Sequence, residues 1–183
     1  SEVEDVLRRL EELLRRLEKK SRESLEELRR RLDEVRKDSE RSNEDSERLI
    51  RELEEIRRKL EDEETVRRIV ERVLEELERI NRENHEKAKR VVEELEKIIE
   101  ENHREAKRVT ETLEELIKRL KERNPELKEF LDTMRRIVEE LKKRLKEVND
   151  RIKDIVRRAE EELKRSNDEN KERIERAEKK VRD

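Results

Sequence analysis

His85 and His103 are the only two imidazoles in the chain, and each follows an asparagine in nearly the same phrase: ENHEKAKRVV at 83–92 and ENHREAKRVT at 101–110. Imidazole is the side chain best suited to proton transfer or metal binding near neutral pH. Serines and asparagines recur at a matching interval: Ser21 and Ser24, then Ser39 and Ser42; Asn149, then Asn167. Ser, His and Asn together could supply a nucleophile, a base and an orienting group. Catalysis also needs a place for developing negative charge, usually backbone amides at a tight turn. The chain has no glycine, and its serines fall inside long helical patterns, so no catalytic residue is assigned. A metal centre fails on ligand number. The two histidines are 18 residues apart, which on a helix is about 27 Å. Neither has a His or Cys three or four residues away, whereas zinc takes three or four ligands. No metal and no other cofactor is expected, and the chain is not read as an enzyme.

These polar residues must sit on something, and composition says what. Of 183 residues, 60% are charged and 28% hydrophobic; Phe130 and Pro125 are single examples, and Gly, Cys, Trp and Tyr are absent. Such polarity without periodicity would mean disorder. Here Glu, Lys, Arg, Leu, Ile and Val recur at helical spacing, which marks long helices or coiled coil. With 53 basic and 56 acidic residues interspersed, net charge is −3. There is no basic face for nucleic acid or anionic lipid. No apolar run reaches the ~18 residues of a membrane span, and SEVEDVLRRL has no signal-peptide character. A soluble protein without a natural compartment, cytoplasmic when expressed recombinantly, is expected.

The apolar positions Leu7, Leu10, Leu14, Leu17, then Leu25, Leu28, Leu32, Val35, then Leu49, Leu53, Ile56, Leu60 step by three and four, one stripe on a helix. Two places interrupt the pattern. At 59–68 Asp62 stands before an acidic turn and predicts an N-cap: its carboxylate can accept from free amides there. At 121–130 Asn124 predicts a second cap, with Pro125 at the first helical position. Ser1 is the cap predicted for the first helix. The helices should therefore span about 2–61, 63–122 and 125–182, in one domain over 1–183. Each is close to 60 residues, or roughly 90 Å. Connections this short make neighbours antiparallel, and the expected fold is an all-α, up-down-up three-helix bundle.

Residues 83–100 and 101–118 match at 11 of 18 positions. Eighteen residues are five whole turns, so such a stripe does not drift around a straight helix, and near-straight packing is expected. With turns near 61–62 and 124, His103 lies level with about residues 20 and 144, near Ser21, Ser24 and Asn149. His85 lies level with about 38 and 162, near Ser39, Ser42 and Asn167. Asn102 and Asn84 precede the histidines and belong to the same two layers. Ser46, Asn81 and Asn170 are further members at the second height, where Asn43 and Ser166 also fall. That end should be the wetter, since no aliphatic residue lies between Val35 and Leu49 or between Leu163 and Ile174. A buried polar group without a partner costs a few kcal/mol. Ser, His and Asn offer both donors and acceptors and can satisfy one another across three helices. A slid register would set them against leucine, so such layers select register at a cost in stability.

Matched helix lengths, absent glycine, Glu/Lys/Arg surfaces and repeated Ser/His/Asn layers make the whole chain resemble de novo designed helical bundles with buried hydrogen-bond networks. The resemblance implies a structural scaffold with no natural biochemical activity. Relatives with buried histidine networks are built to come apart in acid, which would fall here on His85 and His103; those relatives carry more histidines and are oligomers. Natural spectrin-type repeats are less similar, having helices about half this length and a buried tryptophan.

Two other functions stay open at the level of sequence. Burial would depress a histidine's pKa, so stability would be full above about pH 6.5 and fall in acid. The bundle would then be pH-responsive. Alternatively a competing helix could displace one of the three, the polar end of helix three at 164–183 being the easiest to peel away. No partner is required, and a monomer is expected, with self-association left open.

Overall fold

The computed structural model describes residues 2–182. Three long helices make up the chain: α1 (Glu2–Lys59), α2 (Glu63–Arg123) and α3 (Lys128–Arg182), with a single 3-10 turn at Pro125–Leu127 ahead of α3. They pack as a three-helix bundle, and no strand occurs among the described residues. The predicted cap Ser1 lies outside those residues.

The first turn is set by Asp62. Its carboxylate accepts from the Glu64 amide at 3.2 Å and from the Thr65 hydroxyl at 2.6 Å, and its carbonyl accepts the Val66 amide at 3.0 Å. These contacts satisfy donors that a helix start leaves free. They also hold the Asp62 carboxyl below its usual range, the Thr65 hydroxyl being the largest cause and the Glu64 amide the next. The second turn works differently from the sequence expectation. Asn124 makes no side-chain cap. Its Nδ2 instead donates back to the Leu120 carbonyl at 3.1 Å, closing the end of α2. The residue before a proline is held out of the α region, and Asn124, at φ −130° and ψ 73°, starts a 3-10 turn at Pro125 instead of α3 itself.

The chain forms two compact units, each drawing on all three helices: Ser1–Arg29 with Glu94–Val156, and Arg30–Glu93 with Arg157–Asp183. In the first unit Leu10, Leu113, Ile117, Leu120, Leu131 and Val138 form the buried core. Lys20 of α1 pairs with Glu105 of α2, and Lys142 of α3 with Glu114 of α2. In the second, Ile50, Leu53, Val66, Val70, Leu74, Leu77, Ile174, Ala177 and Val181 form the core. Asp38 pairs with Lys87, and Glu47 with Arg173. Rising numbers on α1 meet falling numbers on α2 and rising numbers on α3, as up-down-up requires. A turn centred between residues 123 and 124 would set Asn81 level with 166. It bonds Asn170, four residues further on, because Asn124–Leu127 are spent on the turn.

Candidate functional site: polar layers between the helices

In the second unit one layer closes across all three helices. Asn170 of α3 is 1% exposed, Ser46 of α1 is fully buried and Asn81 of α2 is 9% exposed. The Asn170 amide donates to Ser46 Oγ at 3.3 Å and to Asn81 Oδ1 at 3.1 Å. Beside it Asn43 Nδ2 donates to Ser166 Oγ at 2.9 Å, joining α1 to α3. A carboxamide suits this position because its two N–H groups can serve two acceptors at once.

The neighbouring layer of this unit is less complete. Ser39 is buried, and Ser42, Asn84 and Asn167 are half-buried. Asn84, His85 and Asn167 line one groove between α2 and α3. Ser42 Oγ and Asn167 Oδ1 are buried without a hydrogen-bond partner, as is Asn170 Oδ1.

In the first unit Ser21, Ser24, Asn102, His103 and Asn149 line a single gap, walled by Leu25, Leu28, Ile99 and Ile152 among others. The gap holds about 50 Å³ of water-accessible space, room for bridging waters between polar groups of three helices. Ser21, Ser24, Asn102 and Asn149 are half-buried there.

Both histidines depart from the expectation. His85 and His103 are exposed, so neither is a buried layer member, although each edges its groove. The reason is angular. One residue is about 100° of helix turn. Asn102 falls on the side of half-buried Ile98 and Val109, and His103 is one step further round. The same holds for Asn84 and His85 in the other copy of the repeat. The asparagine of each Asn-His pair turns inward and the histidine outward.

One buried polar residue was missed from sequence. Thr110 is 1% exposed, and its hydroxyl donates to the Ala106 and Lys107 carbonyls at 2.9 and 3.0 Å. It replaces Val92 of the preceding repeat; the signal was a β-branched residue kept on the stripe.

No group of three or more His, Asp or Glu side chains that could hold a metal ion occurs among the described residues. No helix there is long and apolar enough to cross a membrane. No protein-family model matches the chain, and no curated protein matches it. Among solved structures the chain is similar to a computationally designed three-helix bundle, at 21% identity and a TM-score of 0.62, over 98% of this chain and 88% of that one. At that identity the likeness is one of fold.

Proposed function

We propose that the chain is a designed structural scaffold without natural enzymatic activity, requiring no cofactor, nucleic acid or membrane, whose register is fixed by polar layers. The fold likeness to a designed bundle supports the first part. Supporting the second is one observation above all: Asn170 donates to both Ser46 and Asn81, so one side chain ties three helices at one height. The same positions 18 residues away carry Leu28, Ile99 and Ile152. An apolar layer was therefore available at this height to the same architecture. A polar layer chosen instead gives up stability for discrimination, as a core asparagine does in a coiled coil.

The test replaces the layer by its apolar counterpart: Ser46→Leu, Asn81→Ile and Asn170→Ile together. Unfolding in guanidinium should show a more stable chain, while its NMR spectrum should show more than one packed state. A variant that is less stable, or as uniquely folded as the parent, would count against the reading. Both imidazoles are exposed, so the pH-responsive alternative lacks the buried histidine on which it would act.

A further inference from the structure

Along α3 in the first unit four large apolar side chains stay open to solvent: Phe130 at 47%, Ile137 at 55%, Val148 at 43% and Ile155 at 41%. Steps of seven, eleven and seven are close to whole numbers of turns, so the four lie in one row. A scattered exposed leucine needs no account, but a contiguous row does. Eighteen residues beyond Val148 and Ile155 the same line carries Ser166 and Arg173. In the second unit both are bonded to α1, Ser166 to Asn43 at 2.9 Å and Arg173 to Glu47 at 2.7 Å. The row is thus polar and partnered there, and apolar and largely exposed in the first unit, where Val148 also edges the gap beside Leu25.

Two properties select what covers it. The spacing reads the same from either end, so an antiparallel copy sets Phe130 opposite Ile155 and Ile137 opposite Val148. A two-fold interface demands this self-complementarity. The flanking charges agree. On the outer edge of the row Glu140 and Arg144 pair with each other at 3.7 Å within one chain, and both stay mostly exposed to a further partner. An antiparallel copy brings Glu140 against the partner's Arg144, and Arg144 against the partner's Glu140. A parallel copy in register would set like charge on like. We propose that this face of α3 pairs with the same face of a second copy of the chain, antiparallel, about a two-fold axis level with residues 142–143. One helix face is at the small end of interface sizes, so the dimer should be weak and concentration-dependent.

Sedimentation equilibrium of the full chain over a wide concentration range tests this. The mass should rise from 22.7 kDa toward twice that value. Ile137→Lys, an exposed substitution whose fold is checked by circular dichroism, should weaken association about tenfold or more, by placing charge at a desolvated contact. Glu140→Arg should weaken it as well, and adding Arg144→Glu should restore it. A mass that stays at one chain throughout overturns the proposal and leaves the row to a different helix. Association indifferent to Ile137→Lys overturns it too, and failure of the double charge swap to restore pairing overturns the antiparallel arrangement.

Discussion

At the scale of single residues, what matters is whether a buried polar atom has a partner. Asn170 uses both of its N–H groups, with only its Oδ1 left without a partner, whereas Ser42 Oγ is buried with none. The two should therefore respond in opposite ways to truncation. Ser42→Ala removes an unpaired hydroxyl and should leave stability unchanged or raise it, by up to about 1 kcal/mol in guanidinium unfolding. A clear loss would mean that the hydroxyl is satisfied in solution. The histidines make a second contrast. Because His85 and His103 are exposed, the His85→Asn, His103→Asn double variant should match the parent's stability at pH 7.5 to within about 0.5 kcal/mol. A large loss would show imidazoles that carry part of the packing. Sequence periodicity brought Ser21, Ser24, Asn102 and Asn149 to one gap, since an 18-residue repeat fixes height. It did not say which of two adjacent residues turns inward. Asn102 and His103 flank the gap between Ile99 and Ala106 on the stripe, and a spacing of three then four serves as well as four then three. Only packing against the other two helices separates them.

At the scale of elements, helix ends decide where the chain reverses. Asp62 does this through a charged acceptor, and its depressed pKa gives the direction of its pH dependence. A carboxyl held below its unfolded value near 3.9 stabilises the fold above that value, and the contribution disappears as pH falls through the folded value. Asp62→Ala should lower the melting temperature at pH 7. The gap between variant and parent should begin to narrow as pH falls past the unfolded value and close once pH has fallen through the lower folded value. A gap of the same size at pH 2.5 would place the effect outside the carboxylate. The second turn shows where sequence signals compete. Asn-Pro-Glu carries both a cap signal and a helix-start signal. The Asn124 side chain goes back to Leu120 and closes α2, and α3 begins at Lys128 after the turn. The shift displaced the α2–α3 register by four residues at Asn81, which no propensity rule contains.

At the scale of the whole molecule, fold class and connectivity were legible because nothing competes with them. Helical spacing of Leu, Ile and Val leaves no strand pattern, and two short breaks allow only antiparallel neighbours. The open row at Phe130, Ile137, Val148 and Ile155 was not legible. Those residues sit on the same broad apolar band as buried Leu131 and Val138, and pattern alone does not say where the band stops being covered. A monomer was the expectation from stripes that cover one another; the uncovered row is the reason to expect a weak dimer instead.

Ser46, Asn81 and Asn170 form one bonded layer in the core of the second unit. A double-mutant cycle on Asn81→Ala and Asn170→Ala, followed by guanidinium unfolding, isolates their interaction from the separate costs of truncation. The bond at 3.1 Å predicts single losses of about 1–3 kcal/mol each. Their combined loss should fall short of the sum by about 0.5 kcal/mol or more. Strict additivity would mean that the two side chains do not meet, and the layer, with the register it fixes, would have to be abandoned.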